Sequence, residues 1–175
     1  MDGEVRLWRL PEPAMLAVKT GMMMGGNLQF DGEHLVDVSG SQLRIVSVLG
    51  GMPTSWTDLG QPIGFAELVG NGKTLVATAA ARLFVFEADS MQLRYPPIDL
   101  PANPLHLVAS DDGNRLAMAF VDGKRDGLHE LLTGLDLRSG EQTILQPVMK
   151  GVLRQLVYSQ GSGELLVAIA EGSPI

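Results

Sequence analysis

A short signature recurs along this chain: a turn glycine, followed three residues later by a leucine that opens an apolar stretch. It occurs at Gly32/Leu35, Gly72/Leu75, Gly113/Leu116 and Gly163/Leu166, with the glycines 40, 41 and 50 residues apart. An apolar stretch also precedes each turn, at Leu28 to Phe30, Leu68 to Val69, Leu105 to Ala109 and Leu153 to Tyr158. Two short apolar runs joined through a glycine read as a β-hairpin. One hairpin cannot bury its own apolar faces, so a chain repeating it must stack each copy on the next. That requirement restricts the fold more than any other feature of the sequence.

Each copy has a further strand. Fourteen residues after Gly32 and Gly72 come Val46 and Phe86, inside the apolar stretches Leu43 to Val48 and Leu83 to Phe86. In the third copy the equivalent residue, Leu135, follows Gly113 by 22 residues. The excess of eight places an insertion between about Asp122 and Gly134. Only Phe65 to Val69 and Leu128 to Leu135 suggest helix, and both are too short to stand alone. Glycine and proline together supply 31 of 175 residues and punctuate the apolar runs. The predicted class is all-β.

The first residues, Asp2-Gly3-Glu4-Val5-Arg6-Leu7-Trp8-Arg9-Leu10, resemble the third-strand signature of the WD-repeat β-propeller family, Asp-Gly-Thr-Val-Arg-Leu-Trp-Asp-Leu. Leu135-Asp136-Leu137-Arg138-Ser139-Gly140 and Phe86-Glu87-Ala88-Asp89-Ser90 match its continuation in part. The resemblance extends over residues 2–170 and implies WD-repeat-like propeller blades, about four in number, incomplete or part of a larger propeller. Residues 1–16 would hold the third and fourth strands of a blade. Residues 17–61, 62–101 and 102–148 would be whole blades, the last with the insertion, and 149–175 the first and second strands of another. Such uneven ends imply neighbouring blades in cis, within a longer chain, or a second copy in trans.

The chain departs from the family at its polar positions. The family's Gly-His pair falls at Gly21-Met22, Gly60-Gln61, Pro101-Ala102 and Gly151-Val152, all without histidine. The tight-turn aspartate is present as Asp2 but replaced by Gly40, Ala80 and His129 in later units. The hydrogen-bonded tetrad of the family therefore cannot be assembled in the complete units, and apolar packing between sheets must hold them instead.

Charge and composition narrow the function. A net charge of −7 has the wrong sign for a nucleic-acid or anionic-membrane surface. The absence of cysteine removes thiolate metal ligands and cysteine nucleophiles. No apolar run approaches the roughly 18 residues of a membrane span, and no signal-peptide pattern follows Met1. Neither nucleic acid nor membrane insertion is expected, and the cytoplasm is the expected location.

Three motifs suggest chemistry and fall short of it. Gly70-Asn71-Gly72-Lys73-Thr74 has the end of a phosphate loop, but Glu67 stands where its first glycine belongs and a strand follows where a helix is required. Asp111-Asp112-Gly113-Asn114 lacks the alternating carboxylates and distal glutamate of a calcium loop. His34, His106 and His129 are isolated, without metal-ligand spacing. No catalytic, cofactor-binding or metal residue is assigned. Met22-Met23-Met24 reads as a strand lead-in, Trp8 as a residue packed between sheets, and Trp56 is open.

Insertions in repeat proteins map to loops on one face, often the binding face. Lys124, Arg125, Asp126 and Glu130 are accordingly the candidate partner-binding loop, and Gly32, Gly72, Gly113 and Gly163 the structural turns. The expected role is a non-catalytic protein-interaction platform within a larger regulatory or signalling protein. The alternative is an enzymatic or small-ligand propeller with a central-channel site.

Overall fold

The structure, a computed structural model, describes residues 3–9, 14–20, 29–30, 33–47, 54–121, 129–150, 152–159 and 164–170. No helix occurs among them. The strands form five antiparallel sheets in chain order. The first is the hairpin β1 (Gly3–Arg9) and β2 (Ala14–Thr20). The second is β3 (Gln29–Phe30), β4 (His34–Ser39), β5 (Gln42–Ser47) and β6 (Thr57–Asp58). The third contains β7 (Ile63–Val69), β8 (Thr74–Ala79), β9 (Arg82–Glu87) and two short outer strands, β10 (Gln92–Leu93) and β11 (Ile98–Asp99). The fourth is β12 (His106–Ala109), β13 (Arg115–Val121), β14 (His129–Asp136) and β15 (Gln142–Lys150). The last is the hairpin β16 (Val152–Tyr158) and β17 (Leu165–Ala170).

The register follows the sequence repeat. Leu35 pairs with Val46, Leu75 with Phe86 and Leu116 with Leu135. Upstream the same leucines pair with Phe30, Leu68 and Ala109, and Leu166 pairs with Val157. The two windows that suggested helix are strands, since Phe65 to Val69 lie in β7 and Leu131 to Leu135 in β14. Strand β2 runs on to Thr20, past residue 16, and β15 to Lys150, past 148.

The excess of eight residues falls at the β13–β14 connection, where ten residues separate the paired Phe120 and Leu131 while two separate the equivalent Ala79 and Arg82. Strand β14 starts at His129, and its pairing with β13 runs without interruption from Val121↔Glu130 to Arg115↔Asp136. Residues 129–134 are therefore ladder, and only 122–128 connect the strands. Leu132 is buried and Leu131 packs against the core. An apolar pair at the start of a strand is easily misread as loop when the turn chemistry of the insertion hides the point of re-entry.

Proline shapes the outer strands. Pro96 and Pro97 lack the amide donors a ladder needs and fall between β10 and β11, splitting the outer strand of the third sheet in two. Pro147 lies on the edge strand β15, where the register with β14 shifts between Glu130 and Leu132.

Three apolar clusters join consecutive sheets. Val36, Leu43 and Ile45 meet Leu75, Ala77, Phe84 and Phe86. The opposite face of the third sheet, Val76, Leu83 and Val85, meets Leu116, Met118, Phe120 and Leu135. Ala117, Ala119 and Leu132 then meet Leu156 and Tyr158. Strand β8 is buried at all six residues because a sheet covers each face, which is why its sequence, apolar apart from Thr74 and Thr78, shows no regular alternation. Each fully buried leucine, methionine or phenylalanine contributes about 1.5–3 kcal/mol.

The β8–β9 turn carries strain. Ala80 and Ala81 both have positive φ, 49° and 56°, the two left-handed residues of a type I′ hairpin turn. Each costs roughly 1–2 kcal/mol more than glycine would. Ala81→Gly is expected to stabilise the fold by about 1 kcal/mol, because its hydrogen bonds, from its N–H to Asn103 Oδ1 and from Leu100 N to its carbonyl, involve only the backbone. Urea denaturation measures the gain.

Candidate functional site

The sequence assigned contact to the β13–β14 connection, and the structure qualifies that assignment residue by residue. Lys124, Arg125 and Asp126 lie outside the described residues. Glu130 belongs to β14, paired in register with Val121 on one side and Met149 on the other. Phe120 and Leu131 are equivalent to Ala79 and Arg82, which flank the two-residue turn of the sheet before. Replacing residues 121–130 by Asn-Gly would thus recreate a connection the chain already uses. Closing a loop this much shorter changes the free energy by only about 1 kcal/mol. The variant is expected to fold with a melting temperature within a few degrees of the parent, as read by calorimetry.

Of the turn glycines, Gly32 and Gly163 lie outside the described residues. Gly72 and Gly113 have φ of 78° and 66°, a region that only glycine enters without strain. Gly113 also meets Gly70 of the neighbouring sheet, and a Cβ there would press on Gly70 Cα and lie 2.5 Å from Gly70 N. Two turns from consecutive sheets thus touch backbone to backbone. The sequence marked Gly113 for its turn, but nothing in a repeat signature indicates which turns touch.

Arg94 fastens the same junction. Its Nε donates to Glu87 Oε1 (2.7 Å), Nη2 to Thr74 Oγ1 (3.0 Å) and Nη1 to the carbonyl of Leu137 in the next sheet (3.1 Å). The hydrogen bond from Arg94 holds the Glu87 carboxyl below its ordinary range. On the facing turn, Ser110 Oγ donates to Asp112 Oδ1 (2.6 Å), and Asn114 donates to the carboxylate through its backbone N and Nδ2. These bonds bring the Asp112 carboxyl down to about 2. Asp112 therefore stabilises the turn through these bonds. Beside Arg94, burial pushes the Tyr95 phenol up to about 12.

A second polar cluster lies in the second sheet. Asp37 is fully buried on β4 and receives Arg44 of β5, with Nη2 at 2.8 Å and Nε at 3.0 Å from the same oxygen, Oδ2. Its Oδ1 has no hydrogen-bond partner among the described residues. The Arg44 guanidinium stacks over Trp56, 4.4 Å from the ring centroid. Trp56 remains 38% exposed. Sequence reading missed this pair, although the signal existed: residues 37 and 44 face each other once the turn is centred on Gly40 and Ser41.

The remaining sequence candidates are separate. Gly70 to Lys73 form the β7–β8 turn and lead into a strand, so no helix N-terminus is available to cradle a polyphosphate. His34, His106 and His129 lie on β4, β12 and β14, in two different sheets. Among the described residues no three histidine or carboxylate side chains gather as a metal site. No helix among them is long and apolar enough to cross a membrane.

No protein-family model matches the chain, and no curated protein sequence does. Solved structures do match. The tricorn protease aligns with a TM-score of 0.64 and 14% identity over 81% of this chain. The Hsv2 protein solved with loop 6CD replaced by a Gly-Ser linker aligns at 0.69 and 16% over 95%. A chain of the nidogen/laminin complex aligns at 0.61 and 18% over 97%. The alignments span 15%, 54% and 68% of those chains respectively. At such identities the likeness shows the fold, and the fold is that of a β-propeller.

Proposed function

We propose that this chain is a non-catalytic platform for partner proteins, a run of divergent WD-repeat blades belonging to a larger regulatory or signalling protein of the cytoplasm. The observation that carries the reading is the way consecutive sheets are locked together by continuous apolar clusters. Loops at the sheet ends are thereby held at fixed spacing, and their ordering cost is met on folding rather than on binding. The stretch Asp2 to Leu10 supports the WD-repeat assignment. One of the structural neighbours comes from a nidogen/laminin complex, an assembly of two proteins.

Affinity capture with the full chain tests the reading, provided each captured protein is then purified and its binary affinity measured. A dissociation constant in the micromolar range or below is expected, corresponding to about −8 kcal/mol. Replacement of residues 121–130 by Asn-Gly is expected to weaken it about tenfold without loss of folding. Purified candidates that all bind no better than millimolar would contradict the proposal.

A further inference from the structure

The junction between the third and fourth sheets contains more cation than its architecture requires. A surface pocket of about 360 Å³ opens between the β7–β8 and β12–β13 turns, and Lys73, Arg94 and Arg138 line it together with Glu87 and Asp112. Each carboxylate is already engaged within the protein. Glu87 is taken up by Arg94 at 2.7 Å, and Asp112 by Ser110 and Asn114. Arg94 in turn is held by Glu87, Thr74 and Leu137. Among the described residues, two cations of the pocket make no ion pair within 4 Å, although Arg138 feels the Asp136 carboxylate of its own turn. The Arg138 side chain donates from Nε to the neutral Asn114 Oδ1, at 2.7 Å, leaving its two terminal nitrogens, and Lys73 has no described carboxylate within 4 Å. In a chain of net charge −7 such a concentration is unexpected.

The repeat supplies an internal control. The equivalent pocket one sheet earlier, between the second and third sheets, is smaller, about 180 Å³, and is lined by His34, Ser47, Thr54 and Asp89. Aligning the cross-strand pairs Leu35↔Val46, Leu75↔Phe86 and Leu116↔Leu135 makes Asp89 the counterpart of Arg138 and Glu33 that of Lys73. Thr54 is the counterpart of Arg94, since their amides donate to the equivalent carbonyls of Ile45 and Val85. The same architecture is thus built with an acidic residue at two of these positions and a neutral one at the third. The cations of the later junction are not required by the blade, and their convergence needs another reason.

We infer that the pocket between the third and fourth sheets binds an oxyanion, a carboxylate or phosphate group, through Lys73 and Arg138, with Arg94 as the fixed wall. Guanidinium and ammonium groups suit this chemistry, because charge-assisted hydrogen bonds to oxyanions are about twice as strong as neutral ones. The site differs from a phosphate loop: side chains from two blades, rather than a backbone cradle at a helix end, supply the donors. It lies at the end of the sheets opposite the β13–β14 connection. A free anion suffices to fill it, so the inference stands apart from the platform reading.

Titration of the isotopically labelled full chain with sodium phosphate and, separately, sodium acetate, at ionic strength held constant with sodium chloride, tests the site by NMR. Saturable shifts are expected at the amides of Lys73, Asn114 and Arg138, with a dissociation constant on the order of 1–10 mM. Arg138→Asp and Lys73→Glu install residues the repeat already carries at the sister positions, and each is expected to weaken binding about tenfold or more while the rest of the spectrum is unchanged. Arg82→Ala, a cation outside the pocket, is expected to have no effect. Saturation by both anions would identify the group as a carboxylate or its equivalent, and saturation by phosphate alone as a phosphate. Absence of saturable shifts with either anion, or shifts undiminished in both charge-reversed variants, would overturn the inference.

Discussion

Gly113→Ala is expected to cost about 2–5 kcal/mol and to open the junction between the third and fourth blades. Two separate effects add at this position. The φ of 66° imposes the left-handed penalty of roughly 1–2 kcal/mol on any residue with a Cβ. The new methyl group would also collide with Gly70, whose Cα and N are backbone atoms and cannot rotate away. Forcing extra volume into a closed contact typically costs another 1–3 kcal/mol. Gly40→Ala is the internal comparison, since Gly40 has a similar φ of 62° but nothing within 4 Å of its would-be Cβ. It should lose only the conformational part. Urea midpoints for the two variants give the difference directly, and equal losses would show that the inter-blade contact contributes nothing.

Arg44→Ala is expected to destabilise the fold by about 3 kcal/mol, the lower end of the range for removing one partner of a buried ion pair. Asp37 is fully buried, and its only described polar partner is Arg44, whose side chain is 20% exposed. Truncation would leave a fully buried carboxylate without its described partner and strip the stacked cation from Trp56. The double substitution Asp37→Leu with Arg44→Met should recover most of the loss, because replacing a buried pair by apolar groups of similar volume is often neutral or favourable. Failure of the double variant to recover would mean that the pair specifies the blade rather than merely avoiding an unpaired charge.

These two sites differ in how visible they were beforehand. The hairpin register was legible because turn glycines and the leucines three residues after them recur at fixed spacing. It led to the pairs Leu35↔Val46 and Leu75↔Phe86, and through the longer third interval to Leu116↔Leu135. Asp37 and Arg44 were reachable from the same register, but a charged residue on a short strand ordinarily faces water, and its full burial has no mark in the local sequence. The eight extra residues were counted from the sequence, but where within 122–134 the strand resumes was not legible, because Leu131 and Leu132 carry no mark that separates the end of a loop from the start of a strand. Arg94 and the Gly70–Gly113 contact depend on distances between sheets, and these follow from stacking rather than from any local pattern.

Among the described residues, apolar clusters between blades and a few long-range polar ties, of which Arg94 to the Leu137 carbonyl is one, join consecutive sheets. Apolar packing is less directional than hydrogen bonding, so the turns that touch must be fixed by shape, as glycine does at Gly113.

Whether these blades hold loops rigidly for a partner protein is measured most directly by hydrogen–deuterium exchange of the full chain, alone and saturated with a purified captured partner. Slow exchange is predicted throughout β8, β9 and β13 in both states, with partner-induced protection concentrated at residues 121–130 and the adjacent connections between blades. Protection spread through β8, β9 and β13 only when the partner is bound would show that the blades are not rigid beforehand, and would contradict a preformed platform.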